Sequence, residues 1–265
     1  MSDVVDQQYL LNDQYKDASH LNARIALHQR FSTNPQDWQR WLFEHFNLAA
    51  GSRVLELGCG PGDLWSKNLD RIPENGHIVL SDFSDGMLKT TRNKLNDRAK
   101  NFRFQVIDAQ SIPYEDDYFD CVIANHMLYH VPNPLQAIAE VRRVLRSTGR
   151  FYASTNGETH LQEIDQLSKQ AGLDDSALTP LAFTLENAPQ QLSTQFTQIQ
   201  LHLLENELAV TEAEPLIAFI LSCANPASVN KEKIQTLRTL IEQKLAKDGV
   251  ISITKASGLF EAWGQ

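Results

Sequence analysis

Hydrophobic positions between residues 53 and 156 fall in short runs that alternate with longer amphipathic stretches. The short runs have strand length and lie at Val54–Leu57, His77–Leu80, Phe102–Ile107, Cys121–Ala124 and Arg150–Ser154. Helical periodicity separates them at Leu64–Leu69, Gly86–Lys100 and Leu135–Leu145. This alternation predicts an α/β fold with a doubly wound, mostly parallel sheet. In such sheets a ligand lies outside the carboxyl ends of the strands, where the strand order reverses.

The flanking segments show weaker periodicity. Residues 1–50 favour helices, one from His20 to Phe31 and a second opened by Asn34-Pro35 as N-cap and first helical residue. After residue 156 the pattern predicts helices at Leu161–Ala171, Glu212–Ser222 and Lys231–Ala246, and strands at Thr197–Leu204, Val250–Thr254 and Leu259–Trp263. We expect the closing strands to form an antiparallel hairpin at the sheet edge.

A glycine-rich turn follows the first strand, in the run Val54-Leu55-Glu56-Leu57-Gly58-Cys59-Gly60-Pro61-Gly62. Glycines permit a tight turn and the close approach of a ligand to the backbone. The dinucleotide motif requires a third glycine where Asp63 stands. Glu56 would repel a pyrophosphate but suits a ligand that carries an amine and a sulfonium. The helix behind the turn favours an anionic group, here a carboxylate.

Acidic residues also end the next two strands. Asp82 lies about 20 residues beyond the glycines, where a carboxylate accepts hydrogen bonds from ribose hydroxyls; capping of the following helix is the alternative role. Asp108 can accept a hydrogen bond from an adenine amino group, with the following backbone amides facing the ring. Two acids at successive strand ends after one glycine loop form a more specific pattern than either acid alone.

The loop after the fourth strand reads Asn125-His126-Met127-Leu128-Tyr129-His130. His126 and His130 are four residues apart, a spacing that allows them to share a helical face. No third ligand accompanies them, so we predict no metal site. Histidine accepts protons near neutral pH, which makes one of the two a candidate general base; a structural, hydrogen-bonded role is the alternative.

The segments VLELGCGPG, SDFSDGML, IDAQSIPYEDDYFDCVIANHMLYHV and VRRVLRSTGRFYAST together resemble the successive motifs of the class I S-adenosylmethionine-dependent methyltransferases, over residues 52–156. The resemblance implies that Gly58, Gly60 and Asn125 face the methionine part of the cofactor, Asp82 the ribose, and Asp108 and Ala109 the adenine. It also adds neighbouring residues to the predicted cofactor-binding set, namely Glu56, Cys59, Phe83, Met87 and Gln110. Tyr15 and Arg24 of the N-terminal helices are added by their position alone.

The same resemblance assigns roles along the chain. We expect a helical lid over residues 1–50, the Rossmann-like cofactor-binding core over 51–156, a helical substrate-side cover with one core strand over 157–249, and a closing strand over 250–265. The expected activity is methyl transfer from S-adenosylmethionine to an O, N or C nucleophile of a small-molecule acceptor. The alternative is a non-catalytic cofactor-binding subunit of an RNA- or protein-modifying complex.

Composition narrows the partners and the compartment. The 265-residue chain has a formal net charge of −9 and three cysteines. The negative charge disfavours nucleic acid and anionic membranes, and three unevenly spaced cysteines suit a reducing compartment. The acidic first residues lack a signal-peptide pattern and no apolar run reaches membrane-spanning length, so we expect a cytoplasmic protein. The oligomeric state stays open.

Three other enzyme classes fit the motifs less well. Adenine amino methylation usually accompanies an Asn/Asp-Pro-Pro-aromatic tetrapeptide, and Asn125 is followed here by His126, Met127 and Leu128. Pyrimidine C5 methylation requires an exposed nucleophilic cysteine, whereas Cys59 and Cys121 lie in a turn and a strand. A nicotinamide dehydrogenase would share the glycine loop but not Glu56 or the missing third glycine.

Overall fold

The computed structural model of the protein describes residues 26–173 and 181–264. The chain divides into two compact units. Among the described residues, the sheet unit comprises 36–157, 182–204 and 257–264, and the insertion unit comprises 26–35, 158–173, 181 and 205–256. The predicted roles of a lid over residues 1–50 and a cover over 157–249 stay predictions.

The sheet unit is built on seven strands in the order β3-β2-β1-β4-β5-β9-β6. Five of them run parallel, namely β1 Arg53–Leu57, β2 His77–Asp82, β3 Phe102–Val106, β4 Phe119–Asn125 and β5 Leu145–Asn156. The chain moves outward from β1 to β3 and then returns to pair β4 with the other side of β1. The order therefore reverses between β1 and β4, the position at which doubly wound sheets bind ligands.

Helices cover the two faces of this sheet. One face packs against α1 Trp38–His45, α2 Asp63–Ser66 and α3 Asp85–Leu95, and the other against α4 Pro134–Val144 and α6 Ala188–Leu192. Adjacent residues of a strand alternate between the faces, as Val54 and Leu55 show by joining different apolar clusters. The mostly parallel sheet with helices on both faces confirms the predicted Rossmann-like fold class.

The antiparallel edge of the sheet differs in detail from the expected hairpin. Both closing segments are strands, β8 Ile251–Lys255 and β9 Ser257–Trp263. They do not pair with each other: β9 runs antiparallel between β5 and β6 Gln198–Leu203, whereas β8 pairs with β7 Asn206–Val210. Only Ala256 separates β8 from β9, too short a connection for a hairpin turn.

The insertion unit has its own apolar core. The two-stranded sheet of β7 and β8 packs with α5 Gln162–Gln170, α7 Ala213–Cys223 and α8 Lys231–Asp248. Leu208 and Ile253 are cross-strand partners and are both fully buried. Residues 26–31 are also helical and contribute Leu27 and Phe31 to this core.

Three predicted helices differ in their ends. The second N-terminal helix begins at Trp38 instead of Pro35, because the Asp37 carboxylate accepts hydrogen bonds from the amides of Gln39 and Arg40 and so forms the N-cap. The helix predicted at 86–100 ends at Leu95, since Asn96 has φ 46°, and continues as a 3₁₀ turn. The helix after the glycine loop is only four residues long.

Within residues 26–173 and 181–264, no helix is both long enough and apolar enough to cross a membrane. The same ranges contain no group of three or more His, Cys, Asp or Glu side chains arranged to hold a metal ion.

Candidate cofactor site at the switch point

The turn after β1 is held open by left-handed glycines. Gly58, Gly60 and Gly62 have φ values of 67°, 53° and 79°, which side chains of other residues rarely permit. A Cβ atom on Gly58 would lie 2.7 Å from the Cβ of Met127, and one on Gly62 2.5 Å from Thr91. A Cβ on Gly60 would meet nothing within 4 Å. The first and third glycines therefore serve packing, and Gly60 leaves backbone next to open space.

Glu56 lies just before this turn and is 1% exposed. Its carboxylate accepts a hydrogen bond of 2.7 Å from the indole Nε1 of the buried Trp65. Burial, opposed in part by that hydrogen bond and reinforced by the nearby charge of Asp82, raises the pKa of Glu56 from 4.5 to about 8. A buried acid with a raised pKa at a strand end is a feature of functional sites, and a bound cation would stabilise its ionised form.

Asp82 ends β2 and connects the second strand to the glycine turn. Its two carboxylate oxygens accept hydrogen bonds from the amide of Gly60 at 2.9 Å and of Ser84 at 2.8 Å. Burial raises the pKa of Asp82, and these backbone donors act in the opposite direction. Ser84, and not Asp82, caps α3, because its hydroxyl accepts a hydrogen bond from the amide of Met87. The carboxylate is thus fixed beside Gly60, with lone pairs left for further donors.

Asp108 follows β3 and closes a local turn. It accepts hydrogen bonds from the amide of Gln110 at 2.9 Å and from the Gln110 side chain at 3.1 Å. The Gln110 amide is therefore engaged by Asp108, which differs from the expectation that the following amides face an adenine ring. Ala109 between them is 5% exposed. The carboxyl ends of β1, β2 and β3 thus each present an acid, as expected.

The loop after β4 is pinned by Ser154 on the neighbouring strand β5. The Ser154 hydroxyl donates to Asn125 Oδ1 at 2.5 Å and accepts from the amide of His126 at 3.1 Å. His126 has φ 52°, a left-handed conformation that costs energy for a non-glycine residue. The hydrogen bond from its amide holds the backbone of His126 in this conformation beside Asn125.

His126 and His130 do not share a helical face. The positive φ of His126 precludes helix there, and only Leu128–His130 form a 3₁₀ turn. Both imidazoles lie near the ring of Tyr129, whose centroid is 6.3 Å from that of His126 and 4.5 Å from that of His130. The spacing argument for a shared helical face is therefore wrong.

Helix α1 brings two further side chains to this loop. Gln39 Oε1 accepts a hydrogen bond of 3.1 Å from the side-chain amide of Asn125. The Trp38 ring lies 5.2 Å from the His126 ring and stacks on Trp41 at 5.0 Å. Sequence reasoning placed Trp38 in a helix but gave it no role at the site, because only folding brings α1 to the end of β4.

The other predicted cofactor residues have distinct surroundings. Met87 is 6% exposed and Cys59 is buried, with its pKa raised well above the ordinary value by burial. Phe83 is 40% exposed and follows Asp82 at the sheet edge. Tyr15 and Arg24 lie outside the described residues.

The helix behind the glycine turn was expected to favour a carboxylate, and two features of the structure weaken that expectation. Helix α2 spans only four residues, so its dipole is small. Its first residue is Asp63, whose carboxylate pairs with Lys94 at 2.6 Å. The acids of β1, β2 and β3 and the open space at Gly60 fit a ligand with ribose hydroxyls and cationic groups better than a phosphorylated one.

Known proteins share these motifs. A family model described as "Methyltransferase domain" matches residues 55–153. The ubiquinone/menaquinone biosynthesis C-methyltransferase UbiE of Proteus mirabilis is 37% identical over 116 residues, which are 43% of this chain and 46% of that protein. The relative of the same name from Ectopseudomonas oleovorans is 38% identical over 115 residues, which cover 43% of this chain and 68% of the relative. The chain thus spans less than half the length of the Proteus enzyme.

Solved structures share the fold. YcgJ of Bacillus subtilis has a TM-score of 0.58 at 18% identity, covering 86% of this chain and 98% of that one. The phosphoethanolamine N-methyltransferase 2 of Haemonchus contortus, in complex with S-adenosyl-L-methionine, has a TM-score of 0.61 at 16% identity, covering 98% of this chain and 60% of that one. These structures show the fold, and the family is shown by the matching domain model and by the Ectopseudomonas relative, of which this chain covers 68%. The chain belongs to the class I S-adenosylmethionine-dependent methyltransferases.

Proposed function

We propose that the protein transfers the methyl group of S-adenosylmethionine to a carbon atom of a small, oxygen-bearing ring compound. The observation that carries the proposal is the set of acids at the carboxyl ends of β1, β2 and β3, together with a histidine loop after β4 at the same edge of the sheet. The printed name of the relatives, a C-methyltransferase of quinone biosynthesis, supports a carbon acceptor.

Each of the three acids binds a different part of the cofactor. Asp82 accepts hydrogen bonds from the ribose hydroxyls while the amides of Gly60 and Ser84 keep its carboxylate in place. Asp108 accepts from the adenine amino group. Glu56 stabilises the cationic end and becomes ionised when that charge is nearby. Gly60 lets the cofactor lie against bare backbone, and Asn125 faces the methionine end.

When bound, S-adenosylmethionine supplies a methyl group on a positively charged sulfur. The acceptor carbon would form a bond to this methyl as the sulfur–carbon bond breaks, and the electron pair would stay on the sulfur of S-adenosylhomocysteine. The acceptor carbon then loses a proton, for which His126 is the base of choice, because Ser154 holds the His126 backbone beside Asn125 and the imidazole contacts the Trp38 ring. His130 is the second candidate.

Two finer points belong to the proposal. The acceptor is a free small molecule and not a nucleic acid, which the net charge of −9 supports. The compartment is the cytoplasm, which the three buried cysteines support because none of them forms a disulfide.

The test is single-turnover methyl transfer from methyl-tritiated S-adenosylmethionine to reduced 1,4-naphthoquinone, with His126→Gln and His130→Gln variants. We expect labelled carbon-methylated product, a rate at least about a hundredfold lower for His126→Gln, and a smaller effect for His130→Gln. Cofactor binding without turnover would instead indicate a non-catalytic subunit. Wild-type rates in both variants would remove the base role.

A further inference from the structure

The indole N–H of Trp38 has no acceptor among the described residues. Its Nε1 atom is inaccessible to solvent, and no hydrogen-bond partner for it occurs within residues 26–173 and 181–264. Buried donors are almost always paired, and an exception calls for a reason such as a ligand that supplies the acceptor. In contrast, the Trp65 indole donates to Glu56. The indole N–H of Trp65 is thus paired, whereas that of the partly buried Trp38 has no partner among the described residues.

The position of Trp38 indicates which ligand supplies the acceptor. Its ring is tilted by 40° against that of His126 and stacks on Trp41. His126 follows β4 and is bonded to β5 through Ser154, whereas the three acids end β1, β2 and β3. Trp38 therefore lies on the β4 side of the switch point, away from Asp82, the acid proposed to bind the ribose. A ligand there is the methyl acceptor and not the adenosine part of the cofactor.

The rings around this donor indicate the chemistry of the ligand. Trp38, His126 and Tyr129 form a continuous series of contacting rings, with centroid separations of 5.2 and 6.3 Å, whereas Trp41 belongs to the apolar core behind Trp38. Such rings favour a flat aromatic partner, and an N–H donor selects an oxygen on it. A site built to bond a substrate oxygen rejects an analogue without it, because its polar group is then left unpaired.

We propose that Trp38 is a specificity-determining residue whose indole N–H donates to a hydroxyl or carbonyl oxygen of an aromatic methyl acceptor. Gln39, the next residue of α1, positions Asn125 on the same loop. Helix α1 thus joins the cofactor end of the site to the acceptor end through two consecutive side chains. The inference rests on the proposed function, since it assumes an acceptor beside a bound cofactor.

Indole ¹H–¹⁵N resonances test this directly, because the chain has only four tryptophans. The protein with ¹⁵N-labelled tryptophan is first saturated with S-adenosylhomocysteine and then titrated with 2-naphthol or with naphthalene. Trp38→Phe assigns the resonance and removes the N–H while keeping an aromatic ring. Trp41→Phe makes the same change in the neighbouring ring of the stack and is the matched control.

We expect 2-naphthol, but not naphthalene, to move the Trp38 resonance downfield. Trp38→Phe should weaken 2-naphthol binding about tenfold and leave S-adenosylhomocysteine binding and the thermal midpoint nearly unchanged, whereas Trp41→Phe should alter 2-naphthol binding less than twofold. A Trp38 resonance that is silent, or that responds equally to both arenes, overturns the inference. A resonance that moves fully with S-adenosylhomocysteine alone assigns the donor to the cofactor and also overturns it. No binding of S-adenosylhomocysteine overturns the proposed function itself.

Discussion

Replacing Glu56 with glutamine should stabilise the protein at alkaline pH. The glutamine keeps an oxygen for the Trp65 indole, now 2.7 Å from the carboxylate, and removes the charge that burial opposes. The folded state raises the pKa of Glu56 from 4.5 to about 8. Between these values the folded protein holds a proton that the unfolded chain has lost, so wild-type stability decreases as pH rises.

The size of the effect follows from the pKa. Stability falls by about 1.4 kcal/mol for each pH unit between pH 4.5 and about 8, which amounts to about 5 kcal/mol in all. Below pH 4.5 the residue is protonated in both states and this contribution is fully present. Glu56→Gln lacks this decrease, so its free energy of unfolding should exceed that of the wild type increasingly up to pH 8.

Urea unfolding at several pH values from 4.5 to 9 measures this difference. The matched control is Glu140→Gln, because the hydrogen bond and charge of Arg143 lower the pKa of Glu140. That control should be less stable than the wild type, with a deficit that stays constant between neutral and alkaline pH, because its lowered pKa keeps Glu140 ionised over that range. A Glu56→Gln variant whose stability runs parallel to the wild type over the whole range would show that Glu56 is ionised in the folded protein and that the reasoning is wrong.

Three further predictions concern the turn, the helix end and the thiols. Gly58→Ala should destabilise the fold by more than about 2 kcal/mol, because the added Cβ meets Met127. Gly60→Ala should destabilise it by only about 1 kcal/mol, for its left-handed backbone, and should chiefly weaken cofactor binding. Urea unfolding and ligand titration of both variants check this contrast, which equal stability losses would contradict. Asn96→Gly should raise stability by about 1 kcal/mol, since glycine relieves the φ of 46° where α3 ends, and an unchanged or lower thermal midpoint would speak against strain there. Cys59, Cys121 and Cys223 should resist iodoacetamide at pH 8 in the folded protein, because all three are buried and burial raises the pKa of the first two; mass spectrometry showing labelling before unfolding would contradict this.

The sequence was informative where a single strand or turn carries the information. All five parallel strands were predicted near their observed positions, because strands buried on both faces leave continuous apolar runs. The glycine turn and the acids Asp82 and Asp108 were recognisable because each lies at a strand end, and parallel strands bring their carboxyl ends to one edge. Strand β7 was missed, since its sequence Asn-Glu-Leu-Ala-Val contains few β-branched or aromatic residues.

What the sequence could not supply depends on contacts between distant segments. The bond between Gln39 and Asn125 joins residues 86 positions apart, and the ring contact between Trp38 and His126 spans a similar separation in the sequence. The start of α1 was predicted at Pro35 instead of Trp38, because Asn34 and Asp37 both suit an N-cap and only the structure selects Asp37. The strain at His126 has no sequence signal, since Ser154 on another strand holds it in place.

Calorimetric titration with S-adenosylhomocysteine tests the central claim most directly, with NAD as the competing ligand. The first variant is Asp82→Ala, which removes the carboxylate beside Gly60. The second is Asp85→Asn, which removes an exposed acid that lies three residues after Asp82 and pairs with Lys89. We expect tight binding by the wild type and by Asp85→Asn, loss of binding in Asp82→Ala, and no heat with NAD. Preference for NAD, or unchanged binding in Asp82→Ala, would contradict the assignment of this edge of the sheet to the S-adenosyl cofactor.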